Sequence, residues 1–236
     1  MPEDIFHKNK EKNIEEFLKR KIVLESKPLR LGVIVTNFCN LRCIMCPESR
    51  YKGGLTLPES ALPKIEEMLP YLERIDWQGG EFFTFGHLKK IFHTCKAYSD
   101  ITHEITTNGL LLDEEWIELF LELNTGLTFS IDSTVKDTYE YIRQGGHFDM
   151  LIKNLNLIKK LEYKHNKILR RNITVVVMKS NYRNLRDFVD FAKQFGFGSL
   201  LFTPVLFWQN EENIFASADY DAGYLNEAKQ YIKNKC

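Results

Sequence analysis

The chain of 236 residues lacks long apolar runs and an excess of charge of either sign. No stretch approaches the ~20 apolar residues that cross a membrane, and the N-terminal segment MPEDIFHKNKEKNIEEF lacks the apolar core of a signal peptide. Lysine plus arginine and aspartate plus glutamate number 32 each, which argues against a broad nucleic-acid footprint. We therefore expect a cytoplasmic protein without a membrane partner, and the charge disfavours nucleic acid as a partner.

The cysteine content argues against a secreted disulfide framework. Of the five cysteines, Cys39, Cys43 and Cys46 fall within eight residues, whereas Cys95 and Cys236 are isolated. A disulfide framework usually has an even number of cysteines, spread more evenly. A tight cluster in a cytosolic chain is typical of a metal site instead. We interpret Cys95, within a predicted helix, as a small buried hydrophobic residue.

Low-complexity segments and internal linkers are also absent, and apolar patterns alternate along the chain. Strands are predicted at 31–36, 73–78, 102–107, 126–131, 172–178 and 199–203. Helices are predicted at 58–72, 86–98, 113–124, 135–163 (broken at Gly145-Gly146), 182–195 and 219–234. Six such units predict an α/β protein whose parallel sheet is covered by helices. Since a closed barrel needs eight units, we expect a partial (β/α)6 TIM-like barrel, with a doubly wound sheet as the alternative.

A lead-in helix is expected before the first strand. Four apolar residues recur at helical spacing within residues 10–24: Ile14, Phe17, Leu18 and Ile22. This pattern predicts an amphipathic lead-in helix. We therefore expect residues 1–29 to form an N-terminal helical lead-in and residues 30–236 to form the core domain.

The cysteine cluster directly follows the first predicted strand, as Cys39-Asn-Leu-Arg-Cys43-Ile-Met-Cys46. In parallel α/β barrels, functional groups gather at the C-terminal ends of the strands. Soft thiolates at this density select zinc or an iron–sulfur centre. Three cysteines on a four-iron cube leave one iron open to a small molecule, whereas a zinc site would take a distant Cys95 or histidine as a further ligand. The spacing favours iron–sulfur and leaves zinc open.

The spacing Cys39-x3-Cys43-x2-Cys46 after a first strand resembles the signature of the radical S-adenosylmethionine (radical SAM) superfamily. The resemblance implies a [4Fe–4S] cluster on these cysteines, with its open iron chelated by the amino and carboxylate groups of S-adenosylmethionine. It implies cleavage of this cofactor to methionine and a 5′-deoxyadenosyl radical, which abstracts a hydrogen atom from a substrate. It also implies a partial (β/α)6 barrel and an electron donor such as flavodoxin or ferredoxin.

The loop after the second predicted strand carries the resemblance further. Gln78-Gly79-Gly80-Glu81 resembles the family's Gly-Gly-Glu motif, which binds the amino group of the cofactor. Glycines let a backbone approach a ligand closely, and a carboxylate accepts hydrogen bonds from an ammonium group. Phe82 stands where the family usually has proline. Alone, the tetrapeptide also suits an ordinary turn.

Two further features resemble the family near its cofactor. The turn Thr106-Thr107-Asn108-Gly109 resembles the family's Thr-Asn-Gly turn, and it implies cofactor contacts for Thr107 and Asn108. Asn-Gly by itself is a common turn sequence. Met45 occupies a place where the family often has an aromatic residue near the adenine, and a polarizable thioether packs well on a flat ring.

The stretch after the fourth predicted strand resembles the peptide- and sugar-modifying branches of the superfamily, many of which carry a SPASM or twitch extension. The resemblance implies that Ser130 or Asp132 contacts the ribose and that Arg143 pairs with the cofactor carboxylate, which matches the planar fork of a guanidinium. The alternative is that Asp132 or Ser133 caps the next helix and that Arg143 is a solvated surface charge.

The sequence leaves the substrate open. We expect a radical SAM enzyme that acts on a peptide, a sugar or a small molecule, and no catalytic acid or base can be named. Later strand ends, at 178–181 and 202–205, offer candidates by position alone. The alternative function is a non-catalytic zinc or iron–sulfur module, which has no use for the Gly-Gly-Glu and Thr-Asn-Gly loops. Cys236 is interpreted as the first cysteine of an auxiliary-cluster extension beyond residue 236 or as a terminal thiol.

Overall fold

A six-stranded parallel sheet forms the centre of the structure, a computed structural model that describes residues 2–47, 54–205, 211–214 and 221–235. The strands are β1 (Arg30–Thr36), β2 (Arg74–Gly79), β3 (Thr102–Thr107), β4 (Thr125–Ser130), β5 (Arg170–Val177) and β6 (Ser199–Pro204). They follow one another in chain order, each adjacent pair is parallel, and within the described ranges β1 does not pair with β6. The predicted partial TIM-like barrel is confirmed, and the doubly wound alternative is wrong because the strand order never reverses.

Helices separate the strands as the alternation predicts. They are α1 (Pro2–Leu18), α2 (Leu62–Met68), α3 (Leu88–Cys95), α4 (Glu114–Glu122), α5 (Lys136–Ile142), α6 (Phe148–His165), α7 (Asp187–Phe195) and α8 (Ala222–Lys235). The expected break within 135–163 separates α5 from α6, where Gly145 adopts a φ of +85° that glycine tolerates. None of the helices in the described ranges combines the length and apolarity that crossing a bilayer requires. Cys236 lies outside the described residues.

The lead-in helix differs from its prediction in both position and packing. α1 begins at Pro2 and ends at Leu18, rather than occupying residues 10–24. The apolar side chains that were expected to form one face of this helix are exposed: Phe17 is 79% exposed, Leu18 is 73% and Ile22 is 98%. The amphipathic interpretation of this segment is therefore wrong.

Polar side chains, and not an apolar stripe, attach α1 to the segment that follows it. The buried carboxylate of Glu16 accepts hydrogen bonds from the backbone N–H groups of Glu25 (3.0 Å) and Ser26 (3.1 Å). The Asn9 side chain accepts from the N–H of Lys27 at 2.7 Å and donates to its carbonyl at 3.0 Å. Such side-chain bonds to the backbone leave no hydrophobic periodicity in the sequence, which explains the error.

The two faces of the sheet differ in polarity. The outer face packs against the helices in an apolar core, whose largest fully buried members include Trp77, Phe82, Phe92, Phe120 and Phe129. The inner face carries polar groups, and the register aligns Asp76, Glu104, Gly126 and Arg170 in one row. Arg170 and Glu104 form an ion pair across that row at 2.5 Å. The inner face is therefore mostly polar, with Ile34 and Leu201 as exposed apolar exceptions.

Candidate functional site

A cavity of ≈ 330 Å³ lies at the C-terminal ends of the strands, the edge at which parallel barrels carry their chemistry. The three clustered cysteines line it, and so do all the predicted cofactor residues except Asp132: Cys39, Cys43, Cys46, Met45, Gly79, Gly80, Glu81, Thr107, Asn108, Ser130 and Arg143. Its size and its mixture of apolar walls with a few polar groups are typical of a small-molecule site.

The loop after β1 carries all three cysteines and is shaped by its own hydrogen bonds. The N–H of Leu41 donates to Sγ of Cys39 at 3.4 Å, and the N–H of Cys46 donates to the carbonyl of Cys43 at 3.1 Å. The guanidinium of Arg42 donates to the carbonyl of Cys39 at 3.0 Å. A tight turn therefore sets the relative position of Cys43 and Cys46. We call the whole loop after β1, residues 37–47, the cysteine loop.

Cys39 and Cys43 are thiols in an environment that opposes charge. Burial raises the pKa of Cys43 to about 11 and raises the pKa of Cys39 as well. Both are therefore neutral near pH 7 until a metal displaces the proton, as thiolate coordination requires. Binding of a thiophilic metal centre at this site would be coupled to proton release.

The positions of the histidine, cysteine and carboxylate side chains can be compared with the needs of a zinc ion and of an iron–sulfur cube. Within the described residues, no three histidine, cysteine, aspartate or glutamate side chains converge closely enough to hold a single metal ion. A structural zinc ion needs about four ligands around one atom. Cysteines on an iron–sulfur cube each bind a different iron and need not converge on one point. The described residues therefore show no ligand set for a mononuclear zinc ion, and a cube on the cysteine loop stays a proposal.

Gly79 and Gly80 bring the end of β2 against the cysteine loop. A Cβ atom on Gly79 would lie 2.4 Å from the carbonyl oxygen of Thr36, and one on Gly80 would lie 2.4 Å from that of Phe38. The N–H of Gly80 and the N–H of Glu81 donate to these same two oxygens at 2.7 and 2.8 Å. The glycines are thus required by the close approach of the chain's own backbone, a cause that the motif alone did not reveal.

Glu81 lines the cavity and joins the loops after β2 and β3. Its Oε2 accepts from the backbone N–H of Asn108 at 2.8 Å, and its Oε1 accepts from the hydroxyl of Thr107 at 2.7 Å. The carboxylate is 1% exposed, and this burial raises its pKa. The side-chain amide of Asn108 in turn donates to Oδ1 of Asn40, on the cysteine loop, at 2.8 Å. One hydrogen-bonded chain therefore connects both loops to the cysteines.

Asp132 and Arg143 form an ion pair at the other side of the cavity. Nη2 of Arg143 lies 2.7 Å from Oδ2 of Asp132, and their side chains are 6% and 0% exposed. Oδ1 of Asp132 accepts from the N–H of Val176 at 2.8 Å, and its carbonyl accepts from the side chain of Asn181 at 2.7 Å. The solvated-charge interpretation of Arg143 is wrong, and the cap interpretation fails for Asp132. It fails for Ser133 as well, because its hydroxyl accepts from the N–H of Val135 at 3.0 Å, and Val135 is itself the N-cap residue of α5, which has no side-chain cap.

Sequence reasoning missed part of the cavity wall. Three lining residues carried no recognised signal, namely Leu41, Pro47 and Val176, and Thr106 was recognised only as part of its turn. Of the two segments suggested by position alone, 202–205 supplies Thr203, Pro204 and Val205 to the cavity wall, whereas Asn181 of 178–181 is buried and does not line the cavity. Asn40, which accepts a hydrogen bond from Asn108, was also missed; its position between Cys39 and Cys43 is the only signal in the sequence that it belongs to the site. Cys95, the last residue of α3, is fully buried in the core cluster, as predicted, and it does not line the cavity.

A family model described as the radical SAM superfamily matches residues 33–214. The chain belongs to the radical SAM superfamily. Among sequence relatives, this radical SAM chain is 27% identical over 176 residues to a GTP 3′,8-cyclase of Clostridium botulinum (strain Okra / Type B1), covering 70% of the chain and 53% of the relative. It is 24% identical over 187 residues to a cysteine-type anaerobic sulfatase-maturating enzyme of Clostridium novyi, covering 71% and 48%.

Solved structures share the radical SAM fold. SuiB of Streptococcus suis bound to S-adenosylmethionine superposes with a TM-score of 0.70 at 19% identity, over 92% of this chain and 49% of that one. A structure described as native anSMEcpe with bound AdoMet and Cp18Cys peptide gives 0.63 at 24% identity, over 83% and 55%. The chain thus spans about half the length of the proteins that it matches.

Proposed function

We propose that this chain is the core of a radical SAM enzyme, with a [4Fe–4S] cluster on Cys39, Cys43 and Cys46 and with S-adenosylmethionine in the adjoining cavity. The observation that carries the proposal is the convergence of three thiols and the loops after β2, β3 and β4 on one cavity of ≈ 330 Å³. When bound, the cluster and cofactor supply a 5′-deoxyadenosyl radical that abstracts a hydrogen atom from the substrate. The core is proposed to begin near residue 30, after the lead-in helix.

The described residues fit an amino-acid cofactor beside the cluster. Arg143 lines the cavity, and its buried Nε has no hydrogen-bond partner in the part of the chain that the structure describes. A guanidinium N–H suits a carboxylate. Ser130 lies on the same wall, where its hydroxyl is proposed to contact the ribose.

An apolar portion of the cavity suits the adenine. Met45, Val176, Pro204 and Val205 line it, and a thioether packs favourably on a flat ring. Gly79 and Gly80 stand nearby and expose backbone to the cavity, so we propose their carbonyls as acceptors for the cofactor's amino group.

The remaining polar residues are proposed to position these groups. Both carboxylate oxygens of Glu81 already accept hydrogen bonds, from Asn108 and Thr107. We therefore propose that Glu81 acts chiefly through the loops that it joins. Asp132, which does not line the cavity, is proposed to orient Arg143 rather than to contact the ribose directly.

For the substrate we propose a peptide first, with a sugar or another small molecule as the alternative. Two structural neighbours are described with peptides, SuiB with its precursor peptide SuiA and anSMEcpe with Cp18Cys. An electron donor such as flavodoxin or ferredoxin is proposed as a further partner. We place the protein in the cytoplasm, because thiols and a reducible cluster need a reducing compartment.

Anaerobic reconstitution tests the function. Protein reconstituted with iron and sulfide is expected to form 5′-deoxyadenosine from S-adenosylmethionine when a strong reductant is added. Cys43→Ala should abolish this product because the cube loses an anchor, whereas Cys95→Ala should retain it. Reconstituted wild-type protein that carries a full cluster yet forms no 5′-deoxyadenosine would falsify the proposal. One zinc per chain without sulfide would support the non-catalytic module instead.

A further inference from the structure

Cys43 and Arg143 lie opposite each other on two backbone segments. The N–H groups on either side of Cys43, those of Arg42 and Ile44, donate to the carbonyls on either side of Arg143 at 2.8 and 3.0 Å. The two residues are thus flanked by hydrogen bonds in an antiparallel arrangement, in which facing side chains lie close together. Backbone geometry, and not side-chain flexibility, sets their separation.

The guanidinium of Arg143 is held between a sulfur atom and a carboxylate. Its Nη1 donates to Sγ of Cys43 at 3.8 Å, and its Nη2 pairs with Oδ2 of Asp132 at 2.7 Å. Both charged side chains are almost completely buried, and Asp132 is itself fixed by the N–H of Val176. The guanidinium therefore cannot turn towards solvent, and its Nη1 stays directed at the sulfur.

A fixed cation beside a ligand sulfur has a definite electrostatic consequence. Hydrogen bonds to the sulfurs, local charge and solvent exposure set the reduction potential of an iron–sulfur cluster. Reduction adds negative charge, which a nearby guanidinium stabilises, and the stabilisation is stronger in a buried site than in water. Asp132 offsets part of this effect, but it binds the other terminal nitrogen of Arg143.

We propose that Arg143 raises the reduction potential of the cluster by donating its Nη1 hydrogen bond to Sγ of Cys43. The inference rests on the proposed function in one respect, namely that Cys43 is a ligand of the cluster. It differs from the expected contact between Arg143 and the cofactor carboxylate, because it operates when no S-adenosylmethionine is bound. Arg143 is in this respect a positioning and tuning residue for the metal centre.

The test is a redox titration of the reconstituted cluster without S-adenosylmethionine, followed by electron paramagnetic resonance. Arg143→Gln is expected to lower the equilibrium constant for reduction at least tenfold, which is a decrease of 59 mV for a one-electron couple. Arg143→Lys is expected to give a smaller decrease, because one ammonium cannot serve both the sulfur and Asp132. Arg186→Gln is the matched control, since Arg186 pairs with Glu227 on the surface, and its potential should equal that of wild type.

Each outcome decides the proposal. An unchanged potential in Arg143→Gln, with only weaker binding of S-adenosylmethionine, overturns it and leaves Arg143 as a carboxylate ligand. If Arg143→Gln fails to fold or to retain iron and sulfide, the lysine variant decides, and a wild-type potential there overturns the proposal. Variants with shifted potentials in a protein that never forms 5′-deoxyadenosine support this inference and contradict the proposed function.

Discussion

The backbone N–H of Asn108 donates to Oε2 of Glu81 across 2.8 Å, and neither residue is more than 4% exposed. Glu81→Ala removes this acceptor and the acceptor for the Thr107 hydroxyl. Leaving buried donors unpaired costs about 1–3 kcal/mol, and we expect a loss of that size in the free energy of unfolding, measured by denaturant titration of the metal-free protein. Glu122→Ala, which breaks an exposed ion pair with Lys96, should cost less than about 1 kcal/mol. Equal losses in both variants would contradict the structural role of Glu81.

Gly80→Ala is predicted to displace the cysteine loop. Its Cβ would lie 2.4 Å from the carbonyl oxygen of Phe38 and 2.6 Å from that of Asn37, and overpacking of this kind typically costs about 1–3 kcal/mol. Gly86→Ala provides the control, because its Cβ would have no neighbour within 4 Å. After reconstitution, Gly80→Ala should retain much less iron and sulfide than wild type, and Gly86→Ala should retain as much. Full cluster content in Gly80→Ala would show that the loop adjusts freely.

The stability of the protein should fall in acid because of His103. This side chain is completely buried, its Nδ1 accepts from Nε1 of Trp77 at 3.1 Å, and burial lowers its pKa to about 4. The unfolded chain takes up the proton near pH 6.5, so the stabilisation is complete above that pH and is lost progressively as the pH falls from 6.5 to 4. This difference between the pKa of His103 in the folded and in the unfolded chain corresponds to a loss of about 3 kcal/mol at most in the free energy of unfolding.

The pH dependence assigned to His103 can be isolated with His103→Gln. Glutamine keeps an acceptor for Trp77 but has no proton to gain in this range. The difference in unfolding free energy between wild type and variant, measured from pH 8 to pH 4, should therefore shrink as the pH falls. A difference that stays constant over this range is incompatible with the assignment.

Cys95 and Cys43 should respond oppositely to substitution. Burial in the core raises the pKa of Cys95 to about 12, so its thiol should resist alkylation in the native protein. Cys95→Ala should cost about 1 kcal/mol in stability and leave the iron content unchanged, whereas Cys43→Ala should lose the cluster. Loss of metal from Cys95→Ala, as severe as that from Cys43→Ala, would revive a zinc site completed by Cys95.

The alternation of strands and helices could be predicted because each strand is a short segment that contains β-branched or aromatic residues and lies between polar segments. The helix break at Gly145-Gly146 was equally visible, since consecutive glycines disfavour a continuous helix. The packing of α1 could not be predicted, because Asn9 and Glu16 hold it through backbone groups of residues 25–27. Apolar periodicity contains no information on such bonds.

The members of the site could largely be predicted from motifs, but their contacts could not. Asn108 donates to Asn40, which lies 68 residues earlier in the chain. Arg143 reaches Cys43 across 100 residues. Only the three-dimensional arrangement of the strand ends shows that Glu81 connects two loops by hydrogen bonds. It also shows that Asp132 forms an ion pair with Arg143. The roles of these residues towards the cofactor stay predictions.

The simple strand order has a consequence for how the protein assembles during synthesis. Each strand pairs with the one made just before it, so the sheet can grow in the direction of translation without waiting for distant segments. The cysteine loop is the exception, because the carbonyls of Ile142 and Gln144 complete its hydrogen bonding. A nascent chain shorter than about residue 144 therefore holds its cysteines on an incompletely fixed loop, and metal loading is best timed after that point.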